Sequence, residues 1–302
     1  MLNHNKNRIK EGPARTVFKC FNDTFFTIVL ILCLYPVWYV LIQSLSEGNR
    51  AVKALLLPVN FTFSNYEQML SRSEIVHAFL ISVSRTVIGT ALTLLCCMFL
   101  GYLFSKEDMP CRKLLYRTLI ITMYVSGGLI PTFLVYKAYG LMNSFWVYII
   151  PSLVSAYYVI LIKTFIEQLP VSIEESAMID GANTPTIFFK IILPLSLPIA
   201  ATIAIYASVG QWNSWFDNNI YTVSNKSLTT LQYLMYTYLN RAEELSAQIK
   251  NSGLENIDLE AMITPRGIRM TVTMITITPV LCIYPFFQRY LIKGIMIGAV
   301  KG

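Results

Sequence analysis

Long apolar runs alternate with short polar stretches along this chain, and neither a sustained helical stripe nor a strand alternation dominates. The first run, "TFFTIVLILCLYPVWYVLIQSL" from Thr24 to Leu45, carries no charge. It is long enough to cross a bilayer, which takes about 20 apolar residues. It is too long and too aromatic for the core of a cleaved signal peptide, so it predicts a retained anchor. Five more spans are predicted: Ile75–Phe104, Thr118–Tyr136, Phe145–Ile166, Pro194–Phe216 and Met270–Phe287. The third holds "SGGLIP", a predicted helix irregularity, because glycine and proline are tolerated in a span where neighbouring helices cover the backbone. The expectation is an all-α integral membrane protein with six transmembrane helices.

Polar segments set the orientation. Residues 1–23 form a basic tail with Lys6, Arg8, Lys10, Arg15 and Lys19. The loop after the second span adds Lys106, Arg112, Lys113 and Arg117, and the C-terminal stretch adds Arg289, Lys293 and Lys301. The opposite side holds fewer basic residues, mostly in one long loop that counts little toward orientation. Both termini are therefore predicted inside, with an outer loop over 217–268, a core over 75–292 and a C-terminal tail over 293–302. Trp38, Trp146, Trp212 and Trp215 all fall toward the outer ends of their spans, where tryptophan prefers the headgroup level. In the outer loop, "RAEELSAQIKNSGLENIDLEAM" mixes charge with leucine and predicts short helices.

Composition agrees with the segment pattern. The chain is 55% hydrophobic and 14% charged, with mean hydropathy +0.53, against about 25% charged residues in a soluble domain. The net charge of +7 is scattered between apolar runs. It therefore reports loop placement and not a nucleic-acid surface. Six cysteines form no C-x-x-C pair, and His4 and His77 stand alone. Neither a zinc site nor a disulfide framework is indicated, and no metal is expected.

The polar island "EESAMIDGAN", Glu174–Asn183, lies inside between the fourth and fifth spans. Ser172 followed by Glu175 reads as a capping box that starts a short helix. Ile173, Ala177 and Met178 supply its apolar side. Gly181 stops it through a left-handed turn. Thr184 then caps a second helix with Pro185 in its first turn, running to Ile192. The connection spans 170–194, far longer than the usual two to eight residues between helices. A docking role is expected of it.

The same residues carry a resemblance. "EESAMIDGA", then nine residues after Gly181, then Ile191-Ile192-Leu193-Pro194, resembles the E-A-A-x3-G-x9-I-x-L-P motif of ABC importer permeases. It falls on Glu175, Ser176, Ala177, Gly181, Ile191, Leu193 and Pro194, with Ser176 where the motif has alanine. "WNSWF" at Trp212–Phe216 and "YPFFQRYLIKGIMIGAVKG" at Tyr284–Gly302 are similar to the MalG-type carbohydrate permeases, most of all the LplC/YtcP branch associated with complex oligosaccharides. The resemblance implies a MetI/MalG-like type I importer fold. It implies that Ser172–Ala182, with Asp180 in its turn, docks on an ATPase, and that Gly294–Gly302, including Gly298 and Lys301, reaches the ATPase dimer. It further implies a second MalF-like permease as heterodimer partner, two ABC ATPase subunits holding ATP and Mg, an extracytoplasmic solute-binding protein and an oligosaccharide substrate, in a bacterial cell membrane.

The chain has no G-x-x-x-x-G-K-[ST] phosphate loop, so it is expected to be a transport subunit without hydrolytic activity or a bound cofactor of its own. Glu175 has two readings, an ATPase contact or completion of the cap with Ser172. Arg85, in the outer third of the second span, either contacts sugar or the partner permease or snorkels to headgroups. Tyr124, Gln211, Trp212, Asn213 and Trp215 are the remaining candidates for the substrate pathway, against an aromatic-belt reading for the tryptophans. A membrane-embedded enzyme of lipid-linked sugar metabolism would want acids clustered at one interface. A secondary transporter would want coupling-ion carboxylates inside its spans. The sequence shows neither pattern.

Overall fold

A computed structural model describes residues 13–46, 54–251 and 267–282. The described residues are helical, with one isolated bridge pairing Ser46 and Phe61. Helix α1 (Pro13–Ser44) is apolar along most of its length, and its membrane-length window is only 6% buried. Within the described residues it already covers residues 13–23 of the predicted polar tail. The helix is anchored at its last turn. There Gln43 donates to the Ala54 carbonyl at 2.9 Å, and Asn65 of α2 (Ser64–Leu70) donates to the Ser44 carbonyl at 3.0 Å.

Helix α3 (Ser73–Ser105) contains the predicted second span and runs without a break. One face is lined by Ile75, Ala78, Ser82, Arg85, Gly89, Thr93, Cys97, Gly101 and Phe104, all buried. Their spacing of three to four residues is the stripe of a packed helix. Small residues on that stripe let neighbours approach, as in helix pairs within membranes. A Cβ on Gly101 would meet Ile162 Cγ2 at 2.6 Å, and one on Gly89 would meet Gln211 Cδ at 2.8 Å.

The third predicted span is not one helix. It comprises α4 (Arg112–Ile121) and α5 (Leu129–Ala138), separated by a turn over 122–128. Gly128 explains the break: its φ of +81° cannot continue a right-handed helix. The irregularity thus falls within the predicted "SGGLIP". The fourth span, expected clean, consists of two short 3₁₀ turns (Phe145–Tyr148 and Ile150–Ser152) followed by α6 (Ala156–Ile166), with a bend of 46°. Pro151 removes a donor at the bend.

Helix α7 (Val171–Ile179) follows and packs on this bundle through Ala177. Next come α8 (Thr184–Ile187), a π-helical turn (Phe188–Ile192) and α9 (Leu193–Leu195). The chain then bends by 81° into α10 (Leu197–Asn213). Pro194 and Pro198 flank that bend, which fits the rule that sharp kinks sit at proline or π turns. The long loop folds as α11 (Phe216–Tyr221) and a 21-residue α12 (Leu231–Asn251), longer than the short helices expected. α13 (Gly267–Cys282) covers most of the sixth predicted span. The rest of that span, and the tail residues Gly294, Gly298, Lys301 and Gly302, lie outside the described residues.

The core is built on α3. Toward its C-terminal end, Met98, Tyr102 and Phe104 pack with Ile162 and Ile166 of α6, Ala177 of α7, Ile187 and Phe188, and Ile203 of α10. Toward its N-terminal end, Ile75 packs with Met69, Trp212, Leu231, Tyr238 and Val272. Overpacking a filled helix contact costs about 1–3 kcal/mol. Gly101→Leu is therefore expected to lower the thermal midpoint of the detergent-solubilised protein, whereas Gly127→Ala, whose new Cβ would meet only Pro131 at 3.8 Å, leaves it unchanged. Equal midpoints for both variants would contradict the tight α3–α6 contact.

Candidate functional site

The motif residues assemble around α7. The first turn closes when the Ile173 amide donates to the Pro170 carbonyl at 3.2 Å. Pro170 is therefore the N-cap, with extended backbone and no side-chain oxygen to offer. Ser172 lies inside the first turn and not at the cap, so the predicted capping box with Glu175 does not form. The Ser172 carbonyl instead accepts from Ser176 Oγ at 2.8 Å. The glycine stop is as expected. Gly181 has φ +80°, its amide donates to the Met178 carbonyl at 3.0 Å, and the Ala182 amide donates to the Ala177 carbonyl at 2.9 Å. Together these bonds make the Schellman closure of a helix end, with Asp180 as the C-cap. The next helix is capped one residue earlier than predicted. Asn183, a stronger cap than threonine, accepts from the Thr186 amide at 3.0 Å, and Thr184 is the first helical residue.

Helix α7 has two unlike faces. Ala177 is buried against Tyr102, Ile162 and Phe188, with Ile191, Leu193 and Ala182 packed beside it. Pro194 follows on the exposed side of the same turn. Ile173 is half-buried on the Ala177 face. Met178, predicted to join that face, points outward because each helical step turns the side chain by about 100°. With Val171 and Ile179 it gives three apolar side chains at 70%, 54% and 85% exposure (Val171, Met178, Ile179). Glu175 and Ser176 share the exposed side. Among the described residues Glu175 has no hydrogen-bonding or ion-pair partner. An apolar cluster beside an unpaired carboxylate is the signature of a contact surface.

Adjacent Glu174 does the opposite. It pairs with Lys106, the residue just past the end of α3. The Lys106 ammonium also lies 4.6 Å from the Tyr102 ring. Burial lowers the Lys106 pKa from its ordinary value, while Asp108 raises it. Next to this pair, Glu167 accepts from Arg112 at 2.9 Å and from Lys163 at 2.7 Å. Arg112 Nε donates to the Phe104 carbonyl at 2.7 Å. A brace of alternating charges thus ties the feet of α3, α4 and α6 together and joins α7 to them. The polar island signalled the carboxylates, but sequence spacing gave no sign that Glu174 pairs with Lys106, far away along the chain.

At the other end of α3, the pathway candidates divide. Arg85 does not snorkel. Its side chain is 3% exposed; Nε donates to Gln211 Oε1 at 2.8 Å, Nη1 to the Ser214 carbonyl at 3.3 Å and Nη2 to Asp217, and the guanidinium lies 4.6 Å from the Tyr148 ring. A charge at membrane depth is retained by pairing. Asp217, assigned by sequence to the outer loop, is that counter-ion. Gln211 also donates to Ser152 Oγ at 2.7 Å, and Arg85 and Gln211 both line a cavity of about 290 Å³. Trp212 belongs to neither an aromatic belt nor a sugar platform. It is buried, its indole donates to the Thr276 carbonyl at 3.2 Å, and its ring meets Phe79 edge-on. Trp215 stacks on Tyr236 at 4.2 Å. Asn213 is exposed and accepts from Gln232 at 3.3 Å. Tyr124 is 83% exposed in the turn between α4 and α5. None of these four lines the cavity. Among the described residues no cluster of His, Cys, Asp or Glu could hold a metal ion.

Comparison with known proteins agrees with this geometry. Residues 97–297 match the family described as "Binding-protein-dependent transport system inner membrane component". The chain is 35% identical over 280 residues to the polygalacturonan/rhamnogalacturonan transport system permease protein YtcP of Bacillus subtilis (strain 168), covering 92% of this chain and 96% of that protein. It is 33% identical over 293 residues to Protein LplC of the same organism, covering 96% of each. Among solved structures, a bacterial ABC transporter involved in the import of the acidic polysaccharide alginate superposes with TM-score 0.79 at 24% identity, covering 93% of this chain and 98% of that one. At that identity the match establishes the fold alone.

The brace makes a reciprocal expectation. Lys106→Glu and Glu174→Lys each place like charges together at the foot of α3, and the double reversal restores the pair. A double-mutant cycle on unfolding should give a coupling energy of about 0.5–3 kcal/mol. Strictly additive effects would show that the contact does not join α7 to α3.

Proposed function

The chain belongs to the family of inner membrane components of binding-protein-dependent transport systems, and on that footing we propose that it is the permease that couples ATP hydrolysis to carbohydrate import through α7. It is a transport subunit and not an enzyme, as the family and its named relatives are. The proposed cargo is a complex oligosaccharide, supported by the polysaccharide transport named for YtcP. The chain forms half of a translocation pathway completed by a second, MalF-like permease. An extracytoplasmic solute-binding protein delivers the sugar. Two ABC ATPases hold ATP and Mg, and this chain binds no cofactor itself.

The observation that carries the reading is the two-faced α7. Its buried face is locked to α3 and α6 by Ala177 and the Glu174–Lys106 pair, while Val171, Glu175, Met178 and Ile179 stand free. A helix with that division transmits a push as a rigid body. The push comes from an ATPase seated on the exposed face, which puts α7 and both termini in the cytoplasm. Of the two readings of Glu175, the ATPase contact is favoured, because the cap it would complete is absent. The C-terminal tail from Gly294 to Gly302 supplies a second ATPase contact.

Two experiments test this. The chain, co-purified with its partners into proteoliposomes, is presented with oligosaccharides in matched pairs that differ only by reduction of uronate carboxylates to alcohols, α-1,4-trigalacturonate and its reduced form first. Saccharide-stimulated ATP hydrolysis is expected; stimulation by none of the saccharides would overturn the carbohydrate reading. The second experiment alters the helix stop. An L-residue in the left-handed region costs about 1–2 kcal/mol, and a β-branched one fits worst. Gly181→Val is expected to abolish uptake while the protein stays in the membrane, and Gly181→Asn to retain uptake. Normal uptake by the valine variant would remove the lever.

A further inference from the structure

The cavity of about 290 Å³ lies where α3, α5, α6, α10 and α11 converge. Its size is at the lower end for ligand pockets, about 300–1,000 Å³, which suits one ring of a saccharide and not a chain segment. Tyr136, Tyr158 and Tyr221 are among its lining residues. Tyr221 stacks on Phe133 and packs against Tyr136, so this group supplies an aromatic wall for a sugar's C–H surface and hydroxyls for its hydroxyls. Tyr148 serves as a buried wall, since its ring carries the Arg85 guanidinium and its hydroxyl is bonded to Thr222 Oγ1 at 2.6 Å and to the Leu228 carbonyl at 2.7 Å.

The electrostatics of this cavity differ from what an arginine suggests. Each nitrogen of the Arg85 guanidinium is already engaged within the chain: Gln211, the Ser214 carbonyl and Asp217 take one apiece. The Arg85 side chain is 3% exposed against 18% for Asp217, so the carboxylate is the more accessible member of the pair. Asp217 is itself fixed, accepting from Ser214 Oγ through its second oxygen. Among the described residues an incoming carboxylate would meet no free cation in this lining and would lose its hydration without a compensating partner, which is costly. A hydroxyl-bearing ring meets acceptors and donors of its own kind.

We propose that this cavity is a single-ring subsite for an uncharged pyranose, in which Asp217 masks Arg85 and so turns the site against an ionised uronate carboxylate. This rests on the carbohydrate reading above and adds to it which part of the sugar this subunit receives. Asp217 is thereby a specificity-determining residue: it sets the charge that the site presents.

The test uses the complete importer in proteoliposomes and reads the half-saturating concentration for stimulated ATP hydrolysis with each member of a matched pair, α-1,4-trigalacturonate and its carboxyl-reduced form first and whichever stimulating pair replaces them otherwise. Asp217→Asn keeps the side chain's shape and removes its charge, leaving the Arg85 charge unmatched. The ratio of acidic to neutral half-saturation is expected to fall by about tenfold or more, the scale of one unmatched opposite charge a few ångström away at the effective dielectric of a protein. A purely structural role for the pair would weaken both sugars alike and leave the ratio unmoved, which overturns the proposal. Tyr136→Phe, which leaves the ion pair intact, is expected to raise half-saturation for both sugars by a similar factor, about threefold to tenfold. If the D217N chain does not assemble, the Tyr136→Phe variant decides, and unchanged half-saturation overturns the subsite. Stimulation of the unaltered importer with no response to either substitution sinks the subsite alone; an importer that answers to no saccharide sinks the carbohydrate reading with it.

Discussion

One uninterrupted helix carries everything else. Helix α3 runs 33 residues without a break, while the segments predicted as the third, fourth and fifth spans are each split or bent. Two glycines on its buried stripe let α6 and α10 close against it, and in a membrane such close approach, not hydrophobic exclusion, holds helices together. Arg85 stands in its N-terminal half and Lys106 just past its C-terminal end. At about 1.5 Å per residue they are roughly 30 Å apart on one rigid rod. The cavity and α7 are therefore mechanically connected by a single element.

Charge pairing decides what each end does. At the cavity end, Arg85 is enclosed and its charge matched by Asp217, so the polar lining is neutral. At the foot, Lys106, Arg112 and Lys163 are matched by Glu174 and Glu167. At the cavity end, removing one member would leave a buried charge uncompensated; the pairs at the foot are partly exposed, and each holds its geometry more weakly. Glu175, which has no ion-pair partner among the described residues, lies on the exposed face of α7. Two neighbouring glutamates thus divide the work: Glu174 holds the helix to its own chain, and Glu175 remains available outside it.

Much of this was legible in the sequence because it depends on local rules. The apolar runs marked the long helices α1 and α3, Gly181 marked the end of α7, and the motif from Glu175 to Pro194 marked the segment that folds as α7 to α9. Cap positions were off by one or two residues, since Pro170 and Asn183 outcompete the serine and threonine that the spacing favoured. What could not be read was long-range pairing. Nothing near Arg85 in sequence announces Asp217, and nothing near Lys106 announces Glu174; both pairs exist only once α11 and α7 are brought against α3. The same holds for Trp212, whose position near a span end suggested the membrane interface and whose indole instead closes on Thr276 in the core.

The central claim is that α7 and the foot of α3 move as one body when nucleotide binds to the partner ATPases. Spin labels at position 176 on the exposed side of α7 and at position 107 just beyond α3 measure this directly in the assembled importer, nucleotide-free and trapped with Mg-ATP. The account predicts one distance distribution common to both states. A displacement of a helical turn, about 5.4 Å, between the two states would show that α7 moves independently of α3 and would contradict it.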